Sequence, residues 1–360
     1  MSTHMYTLPV EQTQWSVDGK NTTVFNWEYD ENRDKLLNLY EKGKDKQWNA
    51  NTRLDWTQEV DPENPLGIPD KYNPLFGTPL WKHLDRKTIA QLKLHSAAWE
   101  FSQFLHGEQG ALICTSKIVQ TVPDIDAKFY AATQVMDEAR HVEAYSRYLR
   151  EKLGLAYPID SHLKALLDNI LQDSRWDFTY LGMQILVEGL ALAAFSVIRD
   201  GAHEPLAQAL TAYVMQDEAR HVAFGRLSLR DYYPQLSEKE RDEREEFVAE
   251  ACYMMRDRFM AEEIYQNLGF DLKEVKSYLY NNSAMNAFRL ILFSRIVPAI
   301  KEIGLWGPKV QKAFTDLGVI TFATLNPDEL IATDEKIARQ FDDKRQAVAK
   351  EVTATDSNPN

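Results

Sequence analysis

Asp137-Glu138-Ala139-Arg140-His141-Val142 recurs, residue for residue, as Asp217-Glu218-Ala219-Arg220-His221-Val222. Residues three apart share one face of a helix, so Glu138 with His141, and Glu218 with His221, each present a carboxylate beside an imidazole. The match continues outward from both copies. Glu108 stands thirty residues before Glu138 in FLHGEQGALI, and Glu188 stands thirty before Glu218 in ILVEGLALAAF. The chain therefore holds two copies of one unit, a helix with a lone Glu in an apolar run followed by a helix with Glu-x-x-His.

Two such units packed antiparallel bring four carboxylates and two imidazoles together inside a four-helix bundle. Electrostatics then dictates what the centre must hold. Two carboxylates about 5 Å apart repel by about 3 kcal/mol at an effective dielectric of about 20, and four of them make six such pairs. Two divalent cations cancel the charge. Hard oxygen ligands mixed with imidazole suit iron or manganese better than thiolate-seeking metals. His4, His83, His95, His106, His162 and His203 have no comparable partner spacing and are read as non-ligands.

The rest of the chain frames this core. With 360 residues, 44% of them hydrophobic, it can bury a large interior. A net charge of −13 without any Lys/Arg run repels phosphate backbones, so no nucleic-acid partner is expected. Cys114 and Cys252 stand far apart in sequence, which suits a reducing compartment. The N-terminal MSTHMYTLPVEQTQW lacks the basic-then-apolar pattern of a secretory signal, and a cytoplasmic location follows as an expectation. The stretch YLGMQILVEGLALAAFSVI at 180–198 is nearly long enough to span a bilayer. Because it carries Gln184 and Glu188 near its middle, it is read as a buried bundle helix and not as a membrane span.

The expected fold is all-α: a four-helix bundle with additional helices and an aromatic N-terminal arm. The arm covers 1–87, contains Trp15, Trp27, Trp48, Trp56 and Trp81, and has one helix near 30–46 laid over the core. The bundle covers 88–232, with helices at about 88–121, 125–153, 161–199 and 204–231. Additional C-terminal helices, at about 237–267 and 271–303, fall within 233–335. A charged polar tail at 336–360, ending TATDSNPN, is expected to fray.

On the duplicated motif, residues 88–232 resemble the ferritin-like di-iron carboxylate superfamily. The resemblance implies Glu108, Glu138, His141, Glu188, Glu218 and His221 as metal ligands, two iron ions (Fe/Fe, with Mn/Fe as an alternative) and O2 as co-substrate. Asp137 and Asp217 match the aspartates that orient ligand histidines in such proteins, since an imidazole bound through one nitrogen offers the other N–H to an acceptor. Arg140 and Arg220 are expected to neutralise them. Which Asp serves which His stays open.

Three functions compete within the superfamily. Tyr145, four residues after His141, resembles the radical-bearing tyrosine of ribonucleotide reductase small subunits. Trp48 resembles their tryptophan that reaches the metal through an Asp and a His, here Asp217 and His141. Against that reading, the first ligand is Glu108 where such subunits carry Asp, and the C-terminus is polar. Glu at all four carboxylate positions, with a DE-x-RH signature, resembles the multicomponent hydroxylases and acyl-carrier-protein desaturases. The expected function is therefore an O2-activating monooxygenase or oxidase, with the radical subunit as the alternative and iron storage as a minor one. Arylamine N-oxygenases are further relatives, but they add a histidine one turn before the last Glu. Val214 occupies that place here, which weighs against them.

Ala111, Leu112, Thr115, Gln184, Leu192, Phe195 and Val214 are expected to line an apolar pocket for a small organic substrate. Gly225, the pseudo-symmetric mate of Tyr145, either opens room there or lets a neighbouring helix approach. The expected partners are the substrate and an external electron donor, a reductase or ferredoxin, and a homodimer is compatible with the reading. Substrate identity, the choice among hydroxylation, desaturation and N-oxygenation, and the metal pair stay open.

Overall fold

The computed structural model describes residues 14–29 and 33–356, and among them the secondary structure is helical with no β-strand. Residues 1–13, on which the expectation about a secretory leader rests, and the last four residues lie outside the described residues. Eight helices matter for the site. They are α1 (Asp34–Asp45), α2 (Arg86–Thr121), α3 (Ile125–Tyr148), α4 (Ser161–Gln172), α5 (Trp176–Gly201), α6 (Pro205–Tyr232), α7 (Glu238–Asp257) and α8 (Pro327–Asp356).

Side-chain caps explain where α2, α3, α4 and α6 begin. Asp85 accepts from Thr88 N ahead of α2, and Asp124 accepts from Asp126 N and Ala127 N ahead of α3. Asp160 caps α4, and Glu204 caps α6 with Pro205 at the first helical position. Such caps contribute about 1 kcal/mol each. Helix α2 packs along α3, and α5 along α6, so the repeated unit appears as two helical hairpins facing each other. Helix α1 lies on α3, and α8 lies on α6.

One expected helix, 161–199, is in fact two. The chain breaks at 173–175, where Asp173 Oδ1 accepts from Arg175 N in a tight turn. The buried Lys117 Nζ there donates to the carbonyls of Ile170, Leu171 and Asp173. Beyond the break, α5 makes one α-helical turn, Trp176–Thr179, and then a π-helical stretch, Tyr180–Val187, that runs directly into Glu188. Among the described residues α5 is the one continuous helix long and apolar enough to cross a bilayer, and 83% of its most apolar window is buried inside the protein.

The C-terminal region also departs from expectation. The helix expected over 237–267 stops at Asp257, turns through a single 3-10 turn at Arg258–Met260, and passes through Ala261 at φ 48° before the short helix Glu262–Asn267. The one expected over 271–303 is interrupted at Asn282, whose side chain caps the next helix. The tail expected to fray at 336–360 is helical as far as Asp356. Charge anchors it: Asp334 is buried between Arg199 (3.0 Å) and Arg295 (2.8 Å), and Asp342 pairs with Arg53 at 2.7 Å.

The N-terminal arm divides in two. From α1 onward it is part of the core, with Leu36, Leu39, Leu54, Leu66, Leu75 and Trp81 buried. Upstream, residues 14–29 lie on the surface. Trp15 donates to Asp168 at 3.0 Å, whereas Phe25, Trp27 and Tyr29 are 84%, 88% and 68% exposed.

Candidate metal centre

The repeated unit is duplicated at an offset of 80 residues, and both copies point their acids and imidazoles inward from α2, α3, α5 and α6. Glu108, Glu138, His141, Glu188, Glu218 and His221 are all buried. Ligand atoms from Glu108, Glu138, His141 and Glu218 lie within 4.8 Å of one another, and so do those from Glu138, Glu188 and His221. Glu138 belongs to both groups. Glu218 Oε1 also sits between the two histidines, 3.1 Å from His141 Nδ1 and 3.4 Å from His221 Nδ1.

Hydrogen bonding fixes which ring nitrogens face the centre. His141 Nε2 meets Asp217 Oδ2 at 3.0 Å, and His221 Nε2 meets Asp137 Oδ2 at 3.2 Å, so each aspartate serves the histidine of the other half. That leaves both Nδ1 atoms aimed at the acids. Arg140 donates to Asp137 and, at 2.9 Å, to Asp217, while Arg220 donates to Asp217 and lies 3.7 Å from Asp137. Two residues from the arm complete this layer. Trp48 Nε1 donates to Asp217 Oδ2 at 2.7 Å, and Gln47 bridges Asp137 (2.7 Å) and Arg140 (2.6 Å).

The donor set fits two metal ions. Glu138 Oε2, Glu218 Oε1 and His221 Nδ1 are buried with no hydrogen-bond partner among the described residues. A lone-pair nitrogen held 3.1 Å from the Glu138 Oε1 acceptor requires a proton or a cation between them. Without metal the protons are shared unevenly. Burial, then the charge of Glu218, pushes Glu108 and Glu188 well above the usual carboxylate range. Burial opposes the charged imidazole at both histidines, yet the surrounding acids, led by Glu108 at His141 and by Glu218 at His221, hold them well above their ordinary value. Burial likewise opposes the Glu138 carboxylate, and the His221 charge reverses that and lowers it. Two divalent cations would replace those protons and satisfy the three orphaned atoms.

A family model described as P-aminobenzoate N-oxygenase AurF matches residues 30–304. The chain belongs to the AurF family. It is thus an enzyme of the di-metal oxygenase and oxidase class within the ferritin-like superfamily, with O2 as co-substrate. The weight placed on Val214 against such relatives is corrected: the match spans that position although Val214 is a buried valine and the centre has two imidazoles. Among solved structures, an R2-like ligand-binding oxidase, a single-residue variant with aerobically reconstituted Mn/Fe cofactor, is 17% identical. The alignment covers 78% of this chain and 100% of that one, with a TM-score of 0.52. Protein 19 with aldehyde deformylating oxidase activity from Synechococcus is 16% identical over 65% of this chain and 100% of its own, with a TM-score of 0.45. At these identities the oxidase likeness bears on the fold alone. No curated protein matches by sequence.

A cavity of about 30 Å³ opens beside Glu108, Glu188 and Glu218 in this AurF-family chain, lined otherwise by residues that include Phe104, Ala111, Ala191, Ala194, Phe195 and Phe259. Of the residues expected to form a pocket, Ala111 and Phe195 line it. Thr115 and Gln184 instead stand together, 3.5 Å apart, with Gln184 beside Glu188. Leu112, Leu192, Val214 and Gly225 do not line it. Gly225 serves close approach, because a Cβ there would fall 2.5 Å from Gln184 Cβ. Tyr145 is fully buried amid Phe101, Phe104 and Phe195, its hydroxyl without a hydrogen-bond partner among the described residues, and burial followed by Glu108 holds its pKa well above the ordinary phenol value.

Sequence reasoning missed Gln47, Gln134, Phe104 and Phe259. Gln134 had a readable signal, since it lies one turn before Glu138 on the same helix face. Phe259 had none. It reaches the cavity from a helix break some forty residues beyond the last motif.

Proposed function

We propose that the chain is an O2-dependent di-iron oxygenase of a small, uncharged, mostly apolar substrate, with N-oxygenation of a neutral aromatic amine as the reaction. The ligand set proposed is Glu108, Glu138, His141, Glu188, Glu218 and His221, with Glu138 the one residue that belongs to both groups. When bound, the metal pair, Fe/Fe or Mn/Fe, would activate O2 with electrons from an external donor, a reductase or ferredoxin.

The observation that carries the reading is the lining of the cavity against Glu108, Glu188 and Glu218. Apart from these acids and Gln103 it is hydrocarbon and glycine, with no Lys, Arg or His. Gln103 is already engaged with the Pro158 carbonyl (2.9 Å) and the Asp160 N–H (2.7 Å). A substrate carboxylate would therefore stay buried and unpaired, at a cost of several kcal/mol. The phenylalanines exclude water and present flat faces to a ring. At about 30 Å³ the cavity takes molecules the size of water or O2, so an aromatic ring requires a lining side chain to swing away. Phe259 is the one suited to this: it sits in the non-helical turn (φ −88°, ψ 25°) before Ala261, whereas the other lining residues stand on long bundle helices.

A second reading, a radical-generating subunit built on Tyr145, draws support from the line Trp48–Asp217–His141, with contacts of 2.7 and 3.0 Å. The Arg140 guanidinium lies 4.8 Å from the Trp48 ring and that of Arg53 5.7 Å, and positive charge against an indole face disfavours its oxidation to a cation.

The test is turnover of the iron-loaded, chemically reduced protein with O2 and two amines, aniline and p-aminobenzoate. The expected result is N-oxygenated aniline, with kcat/KM at least about a hundredfold lower for the carboxylate, the factor that about 3 kcal/mol of unpaired buried charge implies. Tyr145→Phe should keep most of that turnover. Preference for p-aminobenzoate would refute the cavity argument. Loss of all O2 chemistry on removing the Tyr145 hydroxyl, together with a lasting tyrosyl signal in the wild type, would install the radical reading instead.

A further inference from the structure

The 80-residue offset that relates the two halves carries every proposed ligand onto an identical residue, and it also shows where the halves differ. Gln134 corresponds to Val214, Gln184 to Phe104, and Thr115 to Phe195. Each polar member stands on one side of the centre. Gln134 Nε2 donates to Glu138 Oε1 and Glu188 Oε1, both at 2.9 Å. With its amide nitrogen turned toward Glu188, Gln184 donates to Glu188 Oε2 at 2.8 Å and to Gln134 Oε1 at 3.2 Å. On the other side stand the apolar members. Val214 is fully buried and has no donor to offer Glu218 or Glu108, while Phe104 and Phe195 meet ring to ring with centroids 4.6 Å apart.

We infer that Gln134 is a positioning residue that makes the two metal positions unequal. Two effects act in the same direction. The Gln134 amide already occupies a lone pair on Glu188 Oε1 and on Glu138 Oε1, so a metal ion must compete with it for those oxygens and both are weaker donors for it. The Glu108/His141 position also gathers four ligand residues within reach, against three for the Glu188/His221 position. The first position therefore fills first. Glu108 is left with a different freedom, since among the described residues its Oε2 has its hydrogen bond from His141 Nδ1 alone, at 3.0 Å, and no amide holds it. Carboxylate movement is accordingly concentrated in the half that faces Tyr145, and the Gln134 half stays clamped.

The inference rests on the two-metal reading of the proposed function, and one titration separates the two. Metal-free protein is titrated with Mn2+ under calorimetry, and electron paramagnetic resonance is recorded at one equivalent. The wild type should bind two ions with affinities at least about tenfold apart, the usual effect of an outer hydrogen-bond partner. At half loading it should show an isolated-ion signal. Gln134→Val, which copies the other half, should bring the affinities to within about threefold and produce spin-coupled pairs at half loading. Gln134→Met keeps the length without the donor and should behave alike if the valine variant folds poorly. Val214→Gln should weaken the tighter site. Two equal affinities in the wild type, or an undiminished split in both Gln134 variants, would overturn the inference alone. Binding of fewer than two ions would overturn the two-metal reading with it.

Discussion

Asp217 Oδ2 receives Trp48 Nε1, Arg140 and His141 Nε2 at 2.7, 2.9 and 3.0 Å, and the convergence accounts for an acid that stays ionised without any solvent. Burial works against the charge, but Arg220 and His141 hold Asp217 well below the usual carboxylate range. Glu100 shows the opposite case. Its carboxyl lines a separate cavity of about 130 Å³ under Leu66, Ile68 and Pro74, across from the Lys93–Asp70 pair (2.5 Å), and burial pushes it up to about 8. The folded chain thus holds a proton between the ordinary 4.5 and about 8 that the unfolded chain releases. Stability from this group is fully present below about 4.5 and is lost as pH rises through about 8. Glu100→Gln should flatten that decline, read as thermal midpoints at pH 5, 7 and 9. An unchanged slope would show the proton sits elsewhere. The six acids and imidazoles of the centre were legible because the motif occurs twice. The pairing of Asp137 with His221 was not, because it depends on two segments 84 residues apart meeting.

At the level of elements, helical periodicity located α2, α3 and α6 to within a few residues, since capping residues and breaks mark their ends. It could not see the π-helical register of Tyr180–Val187. Every residue there is buried, so the apolar pattern has no phase in which an extra residue would show. The register matters because α6 crosses at this point with Gly225 against Gln184. Gly225→Ala gains about 1 kcal/mol of helix propensity. It also sets a methyl 2.5 Å from Gln184 Cβ and 3.1 Å from Ile185 Cδ1, and overpacking of that kind costs about 1–3 kcal/mol. The expected outcome is a lower thermal midpoint and weaker metal retention. A variant as stable as the parent would mean that α5 and α6 can separate without cost.

For the whole molecule, the all-α class and the central bundle could be read from pattern, whereas the docking of its outer parts could not. Trp27 belongs to the aromatic arm yet is exposed, and a charged C-terminus reads as loose yet is tied down through Asp334 and Asp342. Composition says nothing about whether a buried arginine waits for an acid. The crossed pairing of each aspartate with the opposite histidine has a temporal consequence. Neither hairpin can orient its own imidazole, so a correctly aimed donor set cannot exist until the two have docked. Assembly of the centre is then a clock for the last step of folding. During refolding from denaturant, helical ellipticity should recover first. Uptake of Co2+, followed by its visible absorption, should appear only with the slowest phase that restores tertiary contacts. Uptake in step with the first helical signal would mean that one hairpin alone suffices.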